Sequence, residues 1–187
     1  EVALAAEASG DLRSARADVA AEGSRPGLGA LALDTRVAYR DGAIGIDTLR
    51  VRQLQGPARL AGGGRIAPGD SVPSADLRLG WRQLGWPLDS ATVSSPDGSL
   101  RVTGSLADFH ATADVALRQP ERSLGDWAVE LDGRYVDGRL VVPGLVARMA
   151  GGGRIALTAD VGFADGPAGE ATVEWADLGL PAARDSA

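Results

Sequence analysis

The chain has 187 residues, of which 44% are apolar and 24% charged, and a net charge of −6. All 19 basic residues are Arg, dispersed among apolar and acidic neighbours, which excludes the clustered cations that nucleic acid binding requires. Cysteine is absent, so disulfides, thiolate chemistry and Cys-ligated metal are excluded. No apolar run reaches the roughly 18 residues that span a bilayer, and no charged-then-apolar leader opens the chain. A start at Glu1 rather than Met reads as a segment of something longer.

Val2 to Ala8 suits an Ala-rich helix or a strand, and Gly10-Asp11 is a turn signal. Leu12 to Glu22 alternates imperfectly and reads as a strand, and Glu22 to Gly29 as a Gly- and Pro-containing loop. Leu31, Leu33, Thr35, Val37 and Tyr39 then share one face against Ala32, Asp34, Arg36, Ala38 and Arg40, which is the period of a half-buried strand. Asp41-Gly42 supplies a hairpin turn, and Ile44 and Ile46 continue the apolar face. A separate strand is expected from Leu49 to Leu54, another through the triple glycine at Gly62 to Gly64, and one with Leu77, Leu79 and Trp81 together. Ser90 to Ser94 reads as a short strand and Pro96-Asp97-Gly98 as a turn, after which Leu100, Val102 and Leu106 share a face. Val115 and Leu117 follow, then Trp127, Val129, Leu131 and Tyr135, then Leu140 and Val142 after Asp137-Gly138. Ile155, Leu157, Val161 and Phe163 make the longest alternating face, and Val173 and Trp175 close the series.

The chain also repeats itself. Ala61-Gly62-Gly63-Gly64-Arg65-Ile66-Ala67 returns letter for letter as Ala150-Gly151-Gly152-Gly153-Arg154-Ile155-Ala156. Trp81, Leu84, Gly85 and Pro87 keep their spacing as Trp175, Leu178, Gly179 and Pro181, and Tyr39, Asp41 and Gly42 as Tyr135, Asp137 and Gly138. Ala17-Asp18-Val19-Ala20 returns as Ala113-Asp114-Val115-Ala116. Two copies of one unit are expected, about Gly10 to Pro87 and Gly104 to Pro181, which divides the chain into residues 1–94 and 95–187 of one continuous sheet.

Many alternating strands joined by tight turns make an antiparallel meander. A repeat favours an open sheet that grows by adding units over a closed barrel or a sandwich. The expected fold is all-β, an elongated antiparallel repetitive curled sheet with an apolar interior. Its apolar face is either covered by its other half as a dry core or left open as a groove for an apolar guest.

Trp81 to Phe109 carries a family resemblance. The run WRQLGWPL, followed by Ser95-Pro96-Asp97-Gly98-Ser99-Leu100-Arg101-Val102-Thr103-Gly104-Ser105-Leu106, resembles the central region of the TamB family, the inner-membrane subunit of the translocation and assembly module, within the broader AsmA-like group. About 25 residues match at motif level, and the second copy departs from the pattern at Leu180 and Ala182. The resemblance implies a β-taco, a groove in a periplasm-spanning protein anchored to the inner membrane of a Gram-negative bacterium. It implies an Omp85-type outer-membrane barrel partner and phospholipid or other apolar chains as cargo. The alternating apolar residues from Leu31 to Trp175 are then the groove lining. The alternative is a repetitive β-domain of a secreted adhesin or passenger, with the same face as a dry core.

Reactive constellations are sparse. His110 is the only histidine, and with Asp108 and Ser105 near it there is no nucleophile elbow. The triple glycines lack a phosphate-loop ending. Asp126, Glu130 and Asp132 read as a solvated strand face. No catalytic residue, metal ligand or cofactor site is expected.

Overall fold

The computed structural model describes residues 2–11, 13–25, 29–69, 72–87, 92–105, 107–118, 125–163 and 166–178. They form one sheet of twelve antiparallel strands, paired in sequence order and not closed on itself. The strands are β1 (Val2–Gly10), β2 (Ser14–Arg25), β3 (Gly29–Arg40), β4 (Ala43–Gln53), β5 (Arg59–Ala67) and β6 (Ser74–Trp86), then β7 (Val93–Ser105), β8 (Asp108–Arg118), β9 (Asp126–Val136), β10 (Arg139–Met149), β11 (Arg154–Gly162) and β12 (Ala168–Ala176). At about 4.8 Å between strands the sheet is roughly 55 Å long. Among the described residues no helix is long and apolar enough to cross a membrane.

Alternation explains the strands and Asp-Gly pairs explain two of the turns. Asp41 and Gly42 have φ of 50° and 82°, and Asp137 and Gly138 have φ of 49° and 76°. Both pairs thus supply the two left-handed positions that match the twist of a tight hairpin. Val2 to Ala8, open to either reading in sequence, lies in β1, paired with Gly23 through Ala17 of β2.

Several local expectations are corrected by the pairing. Ile44 to Leu54 is not two strands: β4 runs through Asp47, where a bulge against β3 shifts the register between Arg36 and Val37. Pro96-Asp97-Gly98 is not a turn but an irregularity inside β7, between Ser94 and Gly98. Strand β2 reaches Arg25, into the segment expected to be a loop. Ser90 lies outside the described residues, and the boundary expected after Ser94 falls within β7. In a bulge two residues oppose one, so the strand changes which alternate residues it presents without breaking the sheet.

The structural repeat is six strands long. Tyr39 of β3 and Tyr135 of β9 occupy one row of paired residues, with Gly10 of β1 and Gly104 of β7. Trp81 of β6 and Trp175 of β12 share another. The identical heptapeptides are nevertheless not equivalent. Gly62 to Gly64 lie in mid-strand in β5, whereas Gly151 to Gly153 form the turn before β11. Sequence identity here is offset along the strand, and pairing with the neighbouring strands decides the local structure.

Each strand pairs only with its sequence neighbours. No Cα of one strand comes within 8 Å of any strand but its sequence neighbours. Among the described residues no large side chain is fully buried, and the buried apolar ones are Ala32, Ala43, Ala58 and Val142.

Glycine replaces side-chain volume where an aromatic ring lies flat on the strand. A Cβ on Gly98 would stand 2.3 Å from the Trp81 ring, while one on Gly133 would meet nothing within 4 Å. Gly98→Val should therefore cost about 1–3 kcal/mol through overpacking, and Gly133→Ala should be neutral or stabilise by up to about 1 kcal/mol. Urea unfolding midpoints measure both. Equal effects at the two positions would contradict the placement of the ring.

Candidate apolar groove

The strand register lays four rows of apolar residues across one face. One row runs without a break through all twelve strands, as Gly10, Ala15, Tyr39, Ile44, Ile66, Ala75, Gly104, Phe109, Tyr135, Leu140, Val161 and Gly169. A second begins at Leu4 and passes through Leu33, Val51, Leu60, Trp81, Val115, Val129 and Ile155 to Trp175. Between them a third carries Val19, Leu49, Leu79, Leu100, Leu131, Leu145, Leu157 and Val173. The fourth joins Val37, Ile46, Leu77 and Val102, and Val142 meets Ala159 where β10 bulges.

Leu31 and Leu117 lie on this face near the strand ends, paired with Gln53 and Trp127 respectively. The expected lining thus gathers on one face, with two qualifications. Leu106 lies outside the described residues, and Phe163 follows the last residue of β11, 47% exposed, rather than extending its alternation. The bulges hid other members of the face. Counting by twos from Val142 selects Gly144 and Val146, but the register shift after Val142 brings Leu145, Ala147 and Met149 round instead. Phe109 stacks on Tyr135 at 5.3 Å between ring centroids and belongs to the lining as well.

Among the described residues the four rows carry no charge. Their internal polar residue Thr35 donates its hydroxyl to the Thr48 carbonyl, beside the β4 bulge. Leu77 and Leu79 lean over Gly64 and Gly62, filling the space that side chains there would take. Trp81 lies over Gly98 and donates its indole N–H to Ser95 Oγ at 2.8 Å. Cover is partial: Ile44 is 43% exposed, Val173 46% and Trp175 70%.

The opposite face is a ladder of ion pairs. Arg36 meets Asp18 at 2.7 Å and Arg118 meets Asp126 at 2.8 Å, each directly across a strand pair. Arg134 meets Asp108, Arg148 meets Glu130, and Arg139 meets Asp160. Glu22 and Arg52 meet across β3, over the buried Ala32. His110 bonds Asp132 at 2.7 Å, and Ser105 Oγ accepts from the backbone N–H groups of Ala107 and Asp108. Ser105, Asp108 and His110 are therefore each engaged separately. Asp126, Glu130 and Asp132 each have a cationic or His partner. Among the described residues no group of three potential metal ligands comes together.

The hydrogen bond from Arg118 holds the Asp126 carboxyl below its usual 3.8, and Arg139 does the same to Asp160. A folded pKa below the unfolded one stabilises the fold above 3.8, and that contribution is lost as pH falls through the folded value. Asp126→Asn should therefore flatten the acid limb of stability, with a small amplitude because both partners are solvated. Denaturation midpoints measured against pH check this; an unchanged acid limb would contradict it. Compared with known proteins, the chain matches no family model, no curated protein and no solved structure.

Proposed function

We propose that the chain is a segment of a TamB-like, periplasm-spanning scaffold, not an enzyme, whose apolar groove carries phospholipid acyl chains between the inner and outer membranes. In that reading the parent protein is anchored in the inner membrane, works with an Omp85-type barrel through other parts, and supports outer-membrane protein assembly. The observation that carries the reading is the uncharged face, continuous across all twelve strands, whose large side chains are nowhere fully buried among the described residues. Exposed apolar surface on that scale marks a surface with a partner.

Physical chemistry makes hydrocarbon a fitting partner. Each methylene removed from water is worth about 0.8 kcal/mol, so an acyl chain is held well in total. The lining is mostly aliphatic and offers no deep pocket to trap one position, which suits sliding. A dry-core adhesin would need the same side chains buried against a cover, and their partial exposure favours the groove over that alternative.

Purified protein should carry phospholipid detectable by native mass spectrometry. Leu157→Arg or Val129→Arg, each placing a charge in the middle of the strands, should cut lipid transfer between vesicles at least about tenfold while circular dichroism keeps its β signal. Loss of folding in both variants, or lipid-free protein with no transfer activity, would contradict the proposal.

A further inference from the structure

The aromatic residues of the apolar face are sorted by position along the strands. Trp81, Trp127 and Trp175 lie toward one end of the sheet, where Trp86 also ends β6. Tyr39, Phe109 and Tyr135 lie in the row at the other end. Strand β9 carries both borders itself: Trp127 stands near its start and Tyr135 near its finish, with Val129, Leu131 and Gly133 on the same face between them. That stretch of extended chain is roughly 26 Å long at 3.3 Å per residue. Between the borders the rows hold Ala, Val, Leu, Ile and Gly, apart from Thr35 with its hydroxyl bonded to the Thr48 carbonyl.

We infer, resting on the lipid-groove reading, that a bound phospholipid keeps its hydrocarbon over this aliphatic lane and its polar part over an aromatic border. Trp and Tyr combine an apolar body with a polar edge, so they are most stable where hydrocarbon meets water. The lane offers a headgroup nothing. A phosphate drawn into it would lose its hydration without gaining a donor. At the border the Trp81 ring is fixed by its bond to Ser95, whereas Trp127 and Trp175 make no hydrogen bond within the described residues, which leaves their N–H groups for water or a headgroup oxygen.

All four tryptophans lie toward one border, so the native emission reports it. The protein is loaded with phosphatidylcholine bearing a nitroxide either on the headgroup or near the end of an acyl chain, and freed of vesicles. Quenching by the headgroup label should exceed quenching by the chain-end label about twofold. In a variant with the four tryptophans changed to Phe and Leu131→Trp, which puts the reporter in the lane, the order should reverse. Native emission quenched equally by both labels, or more by the chain-end label, overturns the assignment of the border. So does an unreversed order in the Leu131→Trp variant with its β signal intact, or quenching that needs intact vesicles. Absence of any bound lipid or quenching instead overturns the lipid-groove reading on which the lane rests.

Discussion

Each strand of this sheet is hydrogen-bonded to its sequence neighbours and to no other strand. Backbone ladders and side-chain pairs across adjacent strands, worth a few tenths to about 1 kcal/mol each, therefore fix its order. That constraint fixes much else. A strand that lost the common register would turn its apolar residues to the charged side. Where the chain has an extra residue, as at Asp47 in β4 and near Pro143 in β10, a bulge restores the match between faces. The bulges are thus what keeps one side of a long meander apolar.

The two faces then solve different problems. Carboxylates and Arg side chains interlock across the outer face, individually weak in water but numerous, and their stems cover small residues such as Ala32. The apolar face has no such cover. Glycines in β5 and β7 let Leu77, Leu79 and Trp81 lie down on neighbouring strands, which smooths the surface into a lane. In the proposed reading, a smooth, uncharged, partly exposed lane bordered by aromatic rings would hold hydrocarbon without gripping it at one point. Its width is set by strand length and its extent by strand number, so the repeat lengthens the lane without changing its cross-section.

Period-two alternation makes most of this legible in the sequence. Counting places the apolar residues of Leu31 to Tyr39, Trp127 to Tyr135 and Ile155 to Val161 on one face, and the chemistry of Asp41-Gly42 and Asp137-Gly138 marks hairpin turns. Counting failed where a bulge intervened, because a one-residue register shift is a property of the pair of strands and leaves no local mark in either. Pro96-Asp97-Gly98 has the composition of a turn, yet pairing of Asp97 and Gly98 with β6 holds it in the ladder, while the pairing with β8 skips from Ser94 to Gly98. The repeated heptapeptide misled differently. Its identity is real, but the strand partners of Gly62 to Gly64 and the turn position of Gly151 to Gly153 give one sequence two conformations. The aromatic borders needed the register of all twelve strands, since no single segment other than β9 contains both.

The central claim is that the apolar side chains face an open lane rather than a sealed interior. The chain has no cysteine, so Leu131→Cys places one thiol in the middle of β9 on that face. In lipid-free protein this thiol should react with a water-soluble maleimide at nearly the rate of an exposed thiol, and phospholipid should slow it. A reaction in lipid-free protein that waits for global unfolding would mean a dry core and contradict the account.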